Sequence, residues 1–195
     1  MTEAAAKPSL RDRQRELTRQ SIFDATLAAF GEKGYSSVTV DDIVSLAGVS
    51  RATFYLHFDS KSAVLRALRQ QRIEAWPTEH NPQWGTSERA SIKAFFERMV
   101  DFYLETPMLH KALHEARAAD PEFASEHREL LDMMAADWKS SQGTKDVDPA
   151  RARIVILMMY TLLDYFMYLW LIQGWELDRG EAVDAMTEAL FAVWH

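Results

Sequence analysis

Residues 36–61 have the sequence SSVTVDDIVSLAGVSRATFYLHFDSK, and this stretch decides the fold. Thr39 is a good N-cap, because its hydroxyl accepts a hydrogen bond from a backbone N–H that has no partner within the helix. Asp41 and Asp42 follow in the first turn, where carboxylates favour the positive end of the helix dipole. Gly48 suits the left-handed conformation that commonly ends a helix, and Ser50 is a second N-cap. The spacing therefore predicts a helix-turn-helix, with one buried stripe formed by Val40, Ile43, Val44 and Ala47.

The second predicted helix, which opens at Ser50, has two chemically different faces. Phe54 and Phe58 are four residues apart, so they share one face and are expected to be buried. The second helix of a DNA-binding helix-turn-helix enters the major groove, so the other face is expected to contact DNA. The alternative is an ordinary helical hairpin inside a bundle. The side chains left for the other face are Arg51, Thr53, Tyr55 and His57.

Two segments resemble the signature of the TetR family of bacterial transcriptional repressors. They are VTVDDIVSLAGVSRATFYLHFDSK at residues 38–61 and IFDATLAAFGEKGY at residues 22–35, and the resemblance extends over about residues 10–75. It implies an all-α fold of about nine helices, in which a three-helix DNA-binding head with the helix-turn-helix precedes a helical ligand-binding and dimerisation bundle. It assigns the N-terminal arm and DNA-binding domain to residues 1–60 and the bundle to residues 61–195. It also implies a homodimer.

The resemblance implies a DNA contact for eight residues. Arg51 is expected to contact a base, since a guanidinium pairs with guanine O6 and N7 in the major groove. Ala52 and Thr53 lie beside it, where they are expected to meet thymine methyl groups. Thr39 and Ser50 stand at helix N-termini and are expected to donate to phosphate. Contacts to the DNA backbone are expected from Tyr55, His57 and Lys61, although Tyr55 is alternatively half core and His57 a cover for Phe58.

The resemblance further implies a repressor that leaves its operator when a small apolar or aromatic effector binds. Dimers of this motif contact two half-sites about 34–36 Å apart, so the expected partner is an inverted-repeat operator of double-stranded DNA. The expected classes of function are thus a DNA-binding regulator or, alternatively, a helical-bundle enzyme or small-molecule-binding protein without DNA binding.

The charge is unevenly distributed along the chain. The whole chain has a net charge of −7, but residues 1–76 carry 11 Lys and Arg against 9 Asp and Glu, a net of +2. A local basic face neutralises phosphates while an acidic body points away. The alternative for the arginine run is a solvated helix start, and both interpretations hold if the arm orders on DNA. The basic residues at the entrance are Lys7, Arg11, Arg13, Arg15 and Arg19.

The run from residue 154 to 172 is apolar and about 20 residues long, which is the length of a membrane span. Asp164 stands at its middle, where a charge is costly in lipid. We therefore expect a helix buried on both sides, which in this family lines the ligand cavity and packs across the dimer. The last helix carries small residues that permit close helix approach: Ala182, Ala185, Ala189 and Ala192.

The bundle is expected to hold an effector pocket with an aromatic lining and a few polar groups. Asp164 is its most informative member, because a carboxylate buried in an apolar helix needs a partner or a proton. It either receives a polar group of the effector or makes a structural contact, for instance with Arg117. The other predicted pocket residues are Phe95, Met99, Phe102, Met134, Trp138, Thr161, Tyr165 and Tyr168.

An enzyme is the main competing class, and the sequence offers it little. His110 and His114 are four residues apart, a spacing that can chelate a metal, but no third ligand is suggested. No nucleophile elbow, phosphate-binding glycine loop or dinucleotide fingerprint is present. We therefore predict no catalytic residues, no metal and no cofactor. The absence of cysteine and of an N-terminal apolar segment favours a cytoplasmic protein.

Overall fold

The computed structural model describes residues 9–76, 88–140 and 149–194, and all regular structure in these ranges is helical. The predicted all-α fold is thereby confirmed. The described residues form nine α-helices and one π-helical turn, Tyr168–Ile172: α1 Leu10–Lys33, α2 Val40–Ala47, α3 Arg51–Tyr55, α4 Lys61–Glu74, α5 Arg89–Glu105, α6 Pro107–Ala119, α7 Pro121–Ser140, α8 Pro149–Met167 and α9 Arg179–Trp194.

The first helix has a well-defined start and end. The Ser9 hydroxyl accepts from the Asp12 backbone N–H at 3.2 Å, and the Asp12 carboxylate accepts from the Ser9 N–H at 3.1 Å, which completes a capping box. At the other end Gly34 has a φ of 76° and donates its N–H to the Phe30 carbonyl. The buried residues of α1 all lie from Ile22 onwards, so its first turns stand outside the core.

The core of the head is shared by α1, α2, α3 and α4 with α6 and the start of α7. Phe54 and Ile43, from the two helices of the predicted helix-turn-helix, are both completely buried in it. Residues of α4, α6 and α7 complete this core and continue it beyond residue 60. The apolar packing is continuous across residue 60. The boundary there therefore stays a prediction of where the DNA-binding part ends and the ligand-binding part begins. The residues beyond position 60 are Val64, Leu65, Leu68, Leu109, Ala112, Ala116 and Phe123.

A second core lies in the body, where α5 packs along α9 and meets the π-helical turn. Phe96 and Val183 are almost fully buried there, and Trp170 of the π-helical turn is 6% exposed. α8 packs against α7 with one face and exposes apolar side chains on another. Among the described residues, no helix combines the length and the apolar character that crossing a membrane requires.

Candidate nucleic-acid interface

The predicted caps fix the geometry of the helix-turn-helix. The Thr39 hydroxyl accepts from the Asp42 backbone N–H at 3.3 Å, and the Asp42 carboxylate accepts from the Thr39 N–H at 2.9 Å. Gly48 ends α2 in the left-handed region with a φ of 66°. The Ser50 hydroxyl then accepts from the Thr53 N–H at 3.0 Å and starts α3. Local hydrogen bonds therefore set where each helix begins and how the chain turns between them.

The two-faced character predicted for α3 is present. Phe54 is completely buried and Phe58, just beyond the helix, is 7% exposed. On the other side Arg51 and Ala52 are exposed, and Tyr55 is 46% exposed. Thr53 and His57 are half-buried, and the two predicted phosphate donors at helix N-termini, Thr39 and Ser50, are exposed.

The sequence did not single out Leu56, which is 79% exposed directly after α3. An apolar side chain beside Tyr55 looks like a core residue in the sequence. Its position on the outer face is apparent only once Phe54 and Phe58 are seen to fill the core. Leu56 therefore adds an exposed apolar side chain to the surface directly after α3.

Arg51 is held in place by a carboxylate of the preceding helix. Its Nη1 lies 2.8 Å from Asp41 Oδ1 and 2.9 Å from Asp41 Oδ2. Both side chains are well exposed, at 59% and 64%. The contact with the Tyr55 hydroxyl, followed by the charge of Asp41, raises the pKa of Arg51. The predicted base-contacting side chain is thus a fully charged group on the surface, paired to a neighbour that water reaches freely.

Lys61 has a structural task that the sequence did not reveal. Its Nζ donates to the carbonyl oxygens of Tyr35 at 2.6 Å, Val38 at 2.7 Å and Ser36 at 3.3 Å, and it lies over the Tyr35 ring. Burial lowers the pKa of Lys61. Since an ammonium has three donors, these contacts use all of them. The phosphate contact stays a prediction, and the structure adds that Lys61 ties the segment before α2 to the start of α4.

Tyr35 also joins the head to α6. Asp120 Oδ2 accepts from the Tyr35 hydroxyl at 2.8 Å and from the Ser62 hydroxyl at 2.9 Å. Asp120 directly follows α6, and on α6 itself Glu115 Oε2 accepts from the Tyr35 backbone N–H at 2.6 Å. These bonds connect residues up to 85 apart in sequence, so no local pattern predicts them. They make α6 a rigid neighbour of the helix-turn-helix.

The predicted effector residues do not all lie together. Phe95 is 6% exposed in the second core, and Met99 packs against that core. Phe102 meets Trp76 edge-on, with 4.9 Å between the ring centroids. By contrast, Thr161 and Tyr165 are exposed on α8. The predicted residues Met134 and Trp138 lie on α7 with side chains outside the described part of the structure.

Asp164 stands in a polar cluster between α5, α6 and α8. Its Oδ2 lies 2.9 Å from Arg117 Nη2 and 3.0 Å from His114 Nε2, while its Oδ1 accepts from the Tyr103 hydroxyl at 2.5 Å. Its side chain is 13% exposed. Burial opposes ionisation, but the contacts with His114 and Arg117 outweigh it and hold the pKa of Asp164 well below its usual range. The suggested contact with Arg117 is confirmed, so a structural role for Asp164 needs no effector.

The histidine pair of α6 belongs to this cluster. His110 stacks on Tyr103 with ring centroids 3.8 Å apart, and His114 stacks on Tyr168 at 4.0 Å. Burial lowers the pKa of His110 to about 4. In the described part of the chain no three His, Asp or Glu side chains are arranged to hold a metal ion. The sequence missed Tyr103 and His114 as partners of Asp164, although the spacing of His114 and Arg117 by three residues was a usable signal.

Comparison with known proteins places this geometry in a family. The sequence model for bacterial regulatory proteins of the tetR family matches residues 22–68. The chain is 30% identical over 153 residues to the HTH-type transcriptional regulator EthR of Mycobacterium tuberculosis, which covers 71% of this chain and 67% of EthR. It is 39% identical over 86 residues to the HTH-type transcriptional regulator SrpR of Pseudomonas putida, covering 44% of this chain and 39% of SrpR.

A solved structure extends the similarity to the whole fold. A protein of Syntrophomonas wolfei assigned to the TetR family of transcriptional regulators superposes with a TM-score of 0.70, covering 93% of this chain and 96% of its own, at 16% identity. The chain spans between 39% and 61% of the length of the first three curated relatives that it matches. Two of these relatives are named as HTH-type transcriptional regulators, in agreement with the prediction of a non-enzymatic protein.

Proposed function

This chain belongs to the TetR family of bacterial regulatory proteins, and we propose that it is a DNA-binding repressor released from an inverted-repeat operator by a small effector. The observation that carries the proposal is the outer face of α3, where Arg51 is charged and 59% exposed. Phe54 behind it is completely buried, so the helix cannot turn this face inward without losing the core of the head.

The geometry of α3 suits the major groove of DNA. The short helix presents Arg51 and Ala52 at its start, and the N-terminal residues of such a helix are those that contact base edges. Thr39 caps α2 and Ser50 caps α3, and both caps are exposed. The backbone N–H groups at these two helix N-termini favour a phosphate. Arg51 has only to exchange Asp41 for a guanine. That exchange is inexpensive, since exposed ion pairs contribute little to stability.

We further propose that the protein acts as a homodimer through α8 and α9. α8 exposes apolar side chains at helical spacing, and Ile154 and Leu162 are each 63% exposed. Contiguous exposed apolar surface of this kind marks an interaction site. On α9 Ala182 is buried in the chain's own core, while three alanines remain exposed and leave room for a close helix: Ala185, Ala189 and Ala192. A dimer through this face holds two α3 helices at a fixed separation.

Release by an effector requires that the ligand bind one conformation better than the other. We propose that α6 transmits this difference together with α4. One side of α6 carries Arg117 and His114 against Asp164 in the body. The other side holds Tyr35 of the head through Glu115 and through Asp120, the residue that follows α6. A small apolar or aromatic molecule that separates α6 from α8 therefore moves the helix that supports the helix-turn-helix.

Arg51→Ala tests the DNA-binding part of this proposal. Operator fragments are first selected from genomic DNA, and dissociation constants are then measured for the selected sequence and for random DNA. The variant is expected to bind the selected sequence roughly tenfold to a hundredfold more weakly and to lose discrimination at one base position. The control is Arg89→Ala, which removes an equally exposed arginine from an ion pair with Glu188 in the body.

Three results contradict parts of the proposal. Equal losses on selected and random DNA for Arg51→Ala assign that residue to the phosphates instead of a base. A wild-type protein that enriches no DNA favours the alternative of a small-molecule-binding bundle without DNA binding. A protein that stays monomeric at the concentrations of the binding assay removes the α8–α9 dimer.

A further inference from the structure

The start of α1 is a solvent-exposed helix that takes no part in the core of the head. Every residue from 9 to 17 is exposed, whereas the buried residues of α1 begin at Ile22. The segment is nevertheless helical, because Ser9 and Asp12 close a capping box at its end. A surface helix of a globular protein normally buries one face against the core, which this segment does not do. The first turns of α1 are therefore available for a partner.

The arginines of this segment occupy two different faces. Arg11, Arg15 and Arg19 are spaced by four residues, so they share one face of the helix. The Arg19 guanidinium lies 5.1 Å from the centroid of the Phe23 ring and 5.4 Å from that of Phe58. Phe58 follows α3 directly, so the shared face is the one turned towards the helix-turn-helix. Arg13 lies about 160° around the helix from Arg15, on the far side.

The two outer arginines of the shared face are not occupied by acidic partners. In the described part of the chain, the ion pairs of the head involve other cations, and neither Arg11 nor Arg15 has a carboxylate within ion-pair distance. Residues 9–19 carry two acids, Asp12 and Glu16, against four arginines. Asp12 accepts from both the backbone N–H and the hydroxyl of Ser9, and its charge also acts on Arg15. The segment thus keeps an excess of positive charge next to α3.

We propose that Arg11, Arg15 and Arg19, here called the α1 stripe, bind the phosphate backbone of the DNA next to the base pairs that α3 contacts. This inference rests on the proposed function and extends its interface. A helix rises 1.5 Å per residue, so Arg11 stands about 12 Å beyond Arg19. Duplex DNA carries one charge per about 1.7 Å of its axis, so a stripe of that length passes several phosphates. The stripe starts at Phe58, beside the recognition helix, and continues the same interface outward.

The α1 stripe is tested with variants that alter one face of the helix at a time. Arg11→Gln removes one outer charge of the stripe, Arg11→Gln with Arg15→Gln removes both, and Arg13→Gln removes one charge from the far face as the matched control for Arg11→Gln. Glutamine preserves helix propensity, and all three positions are exposed, so the fold is retained. Dissociation constants are measured on selected and random DNA between 50 and about 300 mM salt.

The double variant is expected to bind selected and random DNA alike about tenfold more weakly at 0.1 M salt, with the slope of log K against log salt flatter by about 1.8. Arg13→Gln is expected to leave the slope unchanged. An unchanged slope in the double variant overturns the inference, as does an Arg13→Gln effect equal to that of Arg11→Gln alone. Wild-type protein that binds no DNA refutes the proposed function instead, so the two failures are distinguishable.

Discussion

The head and the body each contain an aspartate–arginine pair, and the two pairs are placed in opposite surroundings. Arg51 and Asp41 in the head are 59% and 64% exposed, whereas Arg117 and Asp164 in the body are 15% and 13% exposed. The shortest distances are almost equal, at 2.8 and 2.9 Å. The same chemistry thus serves two purposes, and only the surroundings decide which.

Solvent is the physical cause of the difference. Water screens the head pair, so Arg51 can leave Asp41 for a base or a phosphate at a small cost in free energy. The body pair lost its water on folding, and its attraction repays the desolvation only while both partners stay in place. Asp164 is held in addition by Tyr103 and His114. The Arg51–Asp41 pair can break when DNA binds, as an interface requires, whereas the Arg117–Asp164 pair holds two helices together.

Breaking the body pair should produce the largest effect. Asp164→Asn leaves the Arg117 charge buried without its partner, and we expect the free energy of unfolding to fall by about 3–5 kcal/mol. Urea denaturation measures it. The matched double variant, Asp164→Leu with Arg117→Met, removes both charges and is expected to be less destabilised than Asp164→Asn. A loss below about 1 kcal/mol for Asp164→Asn would show that this pair resembles the exposed one.

Acid should weaken the body through His110. Its pKa is about 4 in the folded protein, below the ordinary 6.5. Between pH 6.5 and pH 4, His110 is therefore protonated in the unfolded chain and neutral in the folded one. Stability therefore falls as the pH falls from 6.5 towards 4. His110→Phe retains the ring that stacks on Tyr103 and should remove about 2 kcal/mol of this loss at pH 5, which is roughly 1.5 units below the unfolded pKa.

The measurement is urea denaturation at pH 8, 6.5 and 5, each variant compared with its own stability at pH 8. Identical pH profiles for wild type and His110→Phe would mean that the pKa of His110 is the same in the folded and the unfolded protein, which the burial of its side chain opposes.

Lys61 provides a smaller effect inside the head. Lys61→Met keeps the length of the side chain but removes the donors to the Tyr35 and Val38 carbonyls. Hydrogen bonds to a charged group contribute about 1.5–3 kcal/mol, and we expect about 1–2 kcal/mol here because the side chain is half-exposed. Thermal unfolding measures the loss. A variant of wild-type stability that binds all DNA more weakly would assign Lys61 to phosphate alone.

These two regions also show how far sequence reasoning reaches. The caps at Thr39 and Ser50 and the buried Phe54 depend on neighbours within a few residues, and each was predictable from spacing. Lys61 was predicted as a phosphate contact from the resemblance, and its structural task was missed because its three carbonyl partners lie 23 to 26 residues away. Nothing in a local pattern indicates that distance.

The effector pocket was harder for the same reason. Phe95 and Tyr165 belong to similar aromatic stripes in the sequence, yet the first is buried in a core and the second is 54% exposed. Which face of a helix meets a neighbour is decided by the packing of α5 on α9 and of α8 on α7, and helical periodicity does not specify the neighbour. Asp164 was an exception, because a charge in an apolar run requires a partner whatever the packing.

Asp41→Asn gives the smallest expected change and makes the sharpest test of the comparison. The substitution keeps an acceptor for Arg51 but removes the charge, and since exposed ion pairs contribute little, the thermal midpoint should stay close to that of wild type. Binding to DNA should tighten a few-fold, because Arg51 no longer leaves a carboxylate and one negative charge near the phosphates is gone. Titration of selected and random DNA at fixed salt measures this. Weaker binding confined to the selected sequence would mean that Asp41 stays with Arg51 in the complex and orients it towards the base, so that the exposed pair would be as permanent as the buried one.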